Sequence, residues 1–338
     1  MAADFDRVAF MGSLKAGLAE KERATQLGVK LAHKRPSRLL LVGCGSPNRQ
    51  MQVVRYWVER EAQAMEVRTY FPAELICQDP RRVDADTIAI LASSSGTTPE
   101  TLQAAQYLRE KKCTTIGITQ KADSPLARAV QHPLLFGQGQ QGYFAMYIVL
   151  QALVGALMFE LENCRLFEHV MGSLDALPGA LADTAEVTET RAVEEARLYK
   201  DDRILYEIGA GPCFSTAYVF GVCILMESQW MHSYPIEAAQ FFHGPFEVVD
   251  RTTPILLLLG EDPSRPLAER ALRFCKAHTE RLITYDSKDF EMQGIAPEVR
   301  PIVAPFILQA ALDRLAQHLA VLHNQPLTTR RYMWKTEY

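Results

Sequence analysis

The stretch Thr87–Glu110 has the sequence TIAILASSSGTTPETLQAAQYLRE and contains one complete strand–loop–helix unit. Its first six residues are mostly apolar, as in a parallel strand that is buried on both faces. A helix is predicted from Pro99, because proline is favoured in the first turn of a helix. Between the two lies a loop with hydroxyl side chains around Gly96: Ser93, Ser94, Ser95 and Thr98. Hydroxyls and backbone N–H groups at a helix N-terminus are typical of a phosphate-binding site.

The same hydroxyl groups could instead cap the helix that follows. One or two would be enough for capping, so the many hydroxyls around one glycine favour phosphate binding. The second half of the chain has a corresponding loop, GEDPSR at 260–265, in which Glu261 and Asp262 would repel a phosphate. We therefore expect a phosphate site in the first half alone.

The strand–helix pattern occurs twice along the chain. Three features return at nearly the same offset: Gly43 and Gly45 as Gly209 and Gly211, Pro99 as Pro266, and YFPAE at 70–74 as YPIE at 234–237. This repetition predicts an α/β protein of two tandem subdomains. Each would be a parallel sheet with helices on both faces, a three-layer α/β/α arrangement.

The predicted organisation has five segments. They are an N-terminal helical segment (1–33), a first subdomain with the phosphate loop (34–163), a helical connection (164–201), a second subdomain with acid–base residues (202–327) and a tail (328–338).

Composition excludes several classes of function. With 36 basic and 40 acidic residues the net charge is -4, which excludes nucleic-acid binding through bulk positive charge. Seven dispersed cysteines without a CxxC pair indicate reduced thiols in a cytoplasmic protein, and they offer no metal cluster. There is no signal-peptide pattern, and the longest apolar run, around Tyr143–Met158, is too short for a membrane span.

The first glycine pair allows three interpretations. Gly43 and Gly45 could form a tight turn, could belong to a dinucleotide site, or could place Gly45 and Ser46 in a substrate cleft. A dinucleotide motif needs a third glycine, which is absent here, so no NAD or FAD is expected. We expect Gly45 and Ser46 to line the substrate.

Candidate acid–base groups lie in the second half. Glu227 ends the apolar run VCILME, and His243 lies in a loop flanked by phenylalanines, where an imidazole can titrate near neutral pH. A packed, hydrogen-bonded histidine fits the same pattern. Composition does not choose among the other candidates: His232, Glu237 and Glu247.

Several motifs together resemble the sugar isomerase (SIS) superfamily over nearly the whole chain. They are CGSPN at 44–48, SSSGTTPET at 93–101, and Glu227 followed by His243-Gly244-Pro245. The likeness is greatest to bacterial fructosamine-6-phosphate deglycases, through ILMESQWMHS at 224–233, QFFHGPFE at 240–247 and the tail TTRRYMWKTEY at 328–338.

The resemblance implies specific roles. Glu227 and His243 match the catalytic glutamate and histidine, and the serine loop matches the phosphate loop. In the related synthase isomerase domain the histidine reaches into the neighbour's site, so a homodimer with active sites at the interface is implied. Gln240 stands where relatives usually have glutamate. Ile224 and Phe242 replace lysines of the synthases, which argues against the synthase reaction.

The implied activity is cleavage of a 6-phosphofructosyl amino acid to glucose 6-phosphate and a free amino acid, without metal or cofactor. The alternatives are a ketose–aldose phosphosugar isomerase and a non-catalytic sugar-phosphate sensor. The tail could close over the site as a lid, with Arg331 or Lys335 facing the phosphate or carboxylate of the substrate. Equally, its aromatic rings could only attach the tail to the fold.

Overall fold

The computed structural model describes residues 4–337 and divides into two compact units. The first unit comprises Arg7–Pro178 and Gly294–Val299, and the second comprises Gly179–Gln293, the chain from Arg300 onward and the residues just before Arg7. The division falls inside the predicted helical connection 164–201. Residues 1–3 and 338, at the ends of the predicted N-terminal segment and tail, lie outside the described residues.

The first unit contains a five-stranded parallel sheet in the order β2-β1-β3-β4-β5. Its strands are β1 Arg38–Gly43, β2 Glu66–Tyr70, β3 Thr87–Ala92, β4 Thr114–Thr119 and β5 His132–Leu135. Its helices are α1 Arg7–Ala32, α2 Gly45–Glu61, α3 Pro72–Gln78, α4 Pro99–Glu110, α5 Pro125–Ala129, α6 Gly142–Glu162 and α7 Arg165–Ser173.

Both faces of this sheet are buried, as β-rich apolar strands in a parallel sheet require. On one face, Leu40 and Leu91 belong to a core cluster that includes Leu108 of α4. Leu41 and Ile90, whose side chains point the opposite way, are also buried. The predicted three-layer arrangement is therefore confirmed in this unit.

Helix α6 is the central core helix of the first unit. It continues through Gln151 and Gly155 for 21 residues, so the expectation that this apolar run is too short for a membrane span was wrong on length. By length and composition it could cross a bilayer, but 83% of its most apolar window is buried inside the protein. It packs against α1, where Gly17 and Gly28 permit close approach of the two backbones.

The second unit repeats the arrangement with four parallel strands in the order β7-β6-β8-β9. Its strands are β6 Ile204–Gly209, β7 His232–Glu237, β8 Ile255–Leu259 and β9 Leu282–Asp286. Its helices are α8 Leu177–Tyr199, which begins at the division between the units, α9 Pro212–Tyr218, α10 Arg265–His278 and α11 Arg300–Leu322. The segment Val219–Gln229 follows α9 as a π-helix, and short 3₁₀ turns span Pro245–Val248 and Ser287–Asp289.

The glycine pair does repeat in the second unit. YPIE, however, does not occupy the position in the second sheet that YFPAE occupies in the first. Gly43 ends β1 and Gly209 ends β6, so these two residues correspond. Tyr70 pairs with the residue before Gly43, whereas the residue before Gly209 pairs with Ile236. Tyr234 therefore lies two positions away from the true counterpart of Tyr70.

Candidate active site

The serine loop connects β3 to α4 and is folded by its own hydroxyl groups. The Oγ of Ser93 lies 2.9 Å from Thr98 Oγ1 and accepts a hydrogen bond from the N–H of Gly96. The Oγ of Ser95 lies 2.8 Å from Thr97 Oγ1 and accepts a hydrogen bond from the N–H of that residue. Ser94 and Ser95 are exposed, while Ser93 is buried at the base of the loop.

Gly96 is required at the centre of this loop. Its φ angle is +67°, and a Cβ atom there would lie 2.5 Å from Ser124 Oγ and 2.7 Å from Thr119 Oγ1. The Thr119 hydroxyl also donates to the carbonyl of Ser94 at 3.3 Å. Thr119 and Ser124 thus support the loop from the next strand and helix, a role that the sequence analysis missed.

The hydroxyl groups of the loop are not used to cap α4. Thr98 is the N-cap residue, yet its side chain makes no capping hydrogen bond. Within residues 4–337, the buried Oγ1 of Thr101, in the first turn of α4, also has no hydrogen-bond partner. The N-terminus of this helix therefore retains donors for an anion, which favours phosphate binding over the capping alternative.

Gly45 and Ser46 lie at the same edge of the sheet as the serine loop. They begin α2 directly after β1, and β1 pairs with β3, which leads into the loop. Gly45 has a φ of +59° and is exposed. The pKa of the neighbouring Cys44 thiol is raised by burial and by the negative charge of Glu100 in α4. The starts of α2 and α4 are therefore close together.

Glu227 lies in the π-helical segment of the second unit and is half-buried. Burial raises the pKa of its carboxyl group, and the positive charge of Arg330 opposes the rise. A nitrogen of the Arg330 guanidinium lies 3.6 Å from Glu227 Oε2. A carboxyl group with a raised pKa is suited to moving protons near neutral pH.

A buried glutamate lies beneath this segment. Glu207 of β6 is fully buried and accepts a hydrogen bond from Ser233 Oγ at 2.6 Å, and burial raises its pKa to about 8. A Cβ atom at Gly221 would lie only 2.1 Å from that Oγ. The π-helical segment therefore rests directly on the Glu207–Ser233 pair. The sequence analysis missed Glu207, although a charged residue inside a strand pattern is an unusual signal.

The chain after α11 is attached to the end of the π-helical segment. The Gln325 side chain donates a hydrogen bond to the carbonyl of Ser228, next to Glu227. In return, Gln229 Nε2 donates to the carbonyl of Gln325 at 3.0 Å. His323 Nδ1 lies 2.9 Å from Gln229 Oε1. These bonds fix the start of the tail beside Glu227.

The tail and the π-helical segment line an open cavity of about 350 Å³. Residues that line it include Met226, Glu227, Trp230, Arg330, Arg331 and Tyr332. Arg330, not Arg331, pairs with Glu227, while Arg331 stacks on Trp230 with 4.1 Å between its guanidinium carbon and the ring centroid.

Lys335 and the aromatic rings of the tail are placed differently from the sequence expectation. Lys335 Nζ donates to the carbonyl of Arg330 at 2.6 Å and so supports the tail itself. Tyr332 and Trp334 are 64% and 77% exposed, so these rings do not attach the tail to the fold as the alternative supposed.

His243 lies in the loop after β7 with its side chain exposed. The expectation of aromatic walls around it is wrong, because Phe241, Phe242 and Phe246 pack against Phe274 of α10 instead. Its backbone N–H donates to the carbonyl of Gln240 at 2.9 Å. Within residues 4–337, His243 makes no hydrogen bond or ion pair with Glu227.

The other acidic candidates differ from Glu227 in their surroundings. Glu237 accepts long hydrogen bonds of 3.4 Å from the N–H groups of Gly211 and Ala239, and burial raises its pKa. Glu247 is exposed. His232 lines the cavity that contains Glu227.

The loop that corresponds to the serine loop is occupied by internal ion pairs. Arg265 binds both carboxylate oxygens of Asp286, and Arg300 lies 3.0 Å from Glu261. Asp262 accepts a hydrogen bond from the N–H of Ser264 at 2.9 Å. This arrangement favours the expectation that only the first unit binds phosphate.

Comparison with known proteins places the chain in a family. The SIS domain family model matches residues 30–159. The fructosamine deglycase FrlB of Bacillus subtilis (strain 168) is 35% identical over 310 residues, 91% of this chain and 94% of that protein. This chain belongs to the SIS-domain family. A fructoselysine 6-phosphate deglycase of Escherichia coli O157:H7 is 28% identical and covers 87% of this chain and 85% of its own length.

The SIS domain model covers the first unit's sheet, and the second unit is related to it by strand order. A solved structure from Bacillus subtilis, assigned as a phosphosugar isomerase, matches 94% of this chain and 100% of its own with 34% identity and a TM-score of 0.88. The match therefore extends over both SIS-type subdomains. Together, these findings confirm the superfamily resemblance and the fold class.

Proposed function

We propose that the protein is a deglycase that cleaves a 6-phosphofructosyl amino acid into glucose 6-phosphate and the free amino acid. The observation that carries the proposal is Glu227, a half-buried carboxyl group of raised pKa in a cavity that the tail also lines. The similar proteins named as a fructosamine deglycase and a fructoselysine 6-phosphate deglycase support this substrate class.

In this proposal the serine loop holds the phosphate group. The exposed hydroxyls of Ser94 and Ser95, the Thr98 hydroxyl and the N-terminus of α4 would bind its oxygens, with Ser93 as the support beneath. Gly45 and Ser46 would line the sugar. Binding energy from the phosphate, far from the reacting carbons, would then orient C1 and C2 for reaction.

The chemistry requires one acid and one proton shuttle. His243 donates a proton to the ring oxygen, which opens the sugar to its ketoamine form. Glu227 removes a proton from C1 to give an enaminol and returns a proton to C2, which yields an imine between C1 and nitrogen. Water adds to this imine, and the carbinolamine releases the amino acid and leaves the C1 aldehyde of glucose 6-phosphate. Each acid–base step typically contributes about 10²–10⁴-fold to the rate.

We also infer a cytoplasmic homodimer in which His243 of one protomer serves the active site of the other. This inference is supported by the exposure of His243 and by the absence of a hydrogen bond or ion pair between it and Glu227 within residues 4–337 of one chain. The tail would act as a lid, since its residues line the same cavity as Glu227 and Arg330 lies 3.6 Å from the Glu227 carboxylate.

The test is a panel of 6-phosphofructosyl amino acids, with the free amino acid and glucose 6-phosphate both quantified by mass. We expect the two products in equal amounts, and no release from the Glu227→Gln variant, which keeps the shape of the side chain and removes only the base. Interconversion of simple ketose and aldose phosphates without amine release would instead identify an isomerase. Binding without any turnover would identify a sensor.

A further inference from the structure

The cavity beneath the tail contains a guanidinium group that is free to bind an anion. Within residues 4–337, Arg331 makes no hydrogen bond and no ion pair, and its guanidinium stacks on Trp230. Its planar group is thus held in place by a ring while its N–H donors remain available. Arg330 differs, because it pairs with Glu227 and donates to the carbonyls of Leu327 and Thr329.

Trp230, on which Arg331 stacks, has an unusual backbone conformation. It ends the π-helical segment with a φ of +56°, the left-handed region that a bulky side chain rarely adopts. The conformation leaves the indole 42% exposed at the cavity. Both the ring and the stacked guanidinium are therefore presented to the cavity.

The remaining walls of the cavity combine His232 and Tyr332 with adaptable methionine side chains. Met226, Met231 and Met333 line it, and methionine side chains adjust to ligands of different shape. At about 350 Å³, the cavity falls within the range of small-molecule sites. A cavity with methionine side chains in its walls and one unpaired, oriented guanidinium suits a ligand that has a carboxylate and a variable side chain.

We propose that this cavity is the subsite for the amino-acid part of the substrate and that Arg331 binds its α-carboxylate through two hydrogen bonds. This inference rests on the proposed function. Glu227 acts at C1, which bears the substrate nitrogen, and an α-linked amino acid places its carboxylate only one carbon beyond that nitrogen. A cation beside Glu227 is therefore in the right place for this group. Arg331 is thus a specificity-determining residue, and the substrates are fructosamine 6-phosphates attached through the α-amino group.

The test uses two substrates that differ only in the carboxylate, 6-phosphofructosyl valine and 6-phosphofructosyl isobutylamine. We expect the wild-type protein to prefer the valine compound in kcat/KM. The Arg331→Met variant, which keeps the side-chain volume, should reduce that preference about 10–100-fold, as loss of a charge-assisted hydrogen bond does. It should leave kcat/KM for the isobutylamine compound nearly unchanged. Arg331→Lys retains the charge without the planar fork. Its preference for the valine compound should lie between those of the wild-type protein and Arg331→Met.

Arg273→Met is the matched control, because it removes an exposed arginine from α10 in the same unit and should leave the preference intact. If Arg331→Met reduces kcat/KM for both compounds equally, Arg331 does not bind the carboxylate and the inference is wrong. If the wild-type protein releases amine from both compounds equally well, the inference also fails, but the deglycase function stands. Release from neither compound would overturn both.

Discussion

The residues proposed to bind the phosphate differ from one another in ways that the sequence did not reveal. Ser93 is buried and bonded to Thr98, whereas Ser94 and Ser95 are exposed. The residue types and the loop position were predictable, because hydroxyls before a helix start form a local pattern. The supports from Thr119 and Ser124 were not, since they depend on how neighbouring strands bring separate loops together.

Removing hydroxyls from this loop should affect both binding and turnover. We expect Ser95→Ala and Thr98→Ala each to raise KM and lower kcat, because binding energy at the phosphate orients the distant reacting carbons. Steady-state kinetics with a 6-phosphofructosyl amino acid would measure both constants. Ser264→Ala, in the corresponding acidic loop, is the control and should leave them unchanged. Wild-type kinetics in both serine-loop variants would place the phosphate elsewhere.

Glu207 should make the stability of the protein depend on pH. Burial raises its pKa from 4.5 to about 8 in the folded state. The folded protein then retains a proton that the unfolded chain releases, so the free energy of unfolding falls as pH rises from 4.5 to about 8. At about 1.4 kcal/mol per pH unit, the free energy of unfolding falls by several kcal/mol over this range.

Replacing Glu207 by Gln removes this titration. Denaturant unfolding at pH 5 and pH 9 should show a smaller difference between the two free energies in Glu207→Gln than in the wild-type protein. Glu194→Gln, at an exposed position of α8, should retain the wild-type difference. An unchanged difference in Glu207→Gln would show that Glu207 is already ionised in the folded protein at neutral pH.

At the scale of elements, the interior strands were predictable, whereas the two edge strands of the first sheet were not. β3 and α4 have the bounds that their sequence patterns predict, because an apolar run and a proline mark them locally. The edge strands β2 and β5 were missed, since they are short, partly exposed and mixed in composition. The apolar run VCILME gave no local sign of the π-helical segment that contains it. Its contacts with Glu207, Ser233 and the tail come from distant parts of the chain.

The close packing of α1 on α6 depends on glycine. A Cβ atom at Gly28 would lie 2.4 Å from the carbonyl oxygen of Leu153, whereas Gly12, in the same helix, has nothing within 4 Å of that position. We expect Gly28→Ala to destabilise the protein by about 1–3 kcal/mol through overpacking. Gly12→Ala should instead stabilise it by about 0.5–1 kcal/mol, because alanine favours the helix. Thermal or denaturant unfolding measures both, and equal effects would contradict this packing.

At the scale of the whole molecule, both sheets contain the same strand order, 2-1-3-4. The tandem sequence pattern had predicted two such subdomains. The first sheet adds β5, while the described part of the second unit has four strands in its sheet. The second copy has replaced hydroxyls by ion pairs in the loop after β8. The two halves have therefore kept one architecture and acquired different side chains at the same sheet edge.

The proposed exchange of His243 between protomers predicts complementation. Glu227→Gln and His243→Ala should each be inactive alone. A mixture that exchanges subunits at random forms heterodimers with one intact site, so about a quarter of the wild-type activity should return. Unmixed variants at the same total concentration are the control. Activity that never returns, despite exchange verified by mass spectrometry, would assign Glu227 and His243 to the same protomer's site.

The most direct test of the central claim follows the two hydrogens at C1 of the substrate. With a 6-phosphofructosyl amino acid that is dideuterated at C1, the proton shuttle must remove one deuterium before the bond to nitrogen can be hydrolysed. We predict that the glucose 6-phosphate product retains a single deuterium at C1, that turnover is slower than with the undeuterated compound, and that Glu227→Gln gives no product. Release of fructose 6-phosphate that retains both deuterium atoms at C1, or normal turnover by Glu227→Gln, would contradict the proposed role of Glu227.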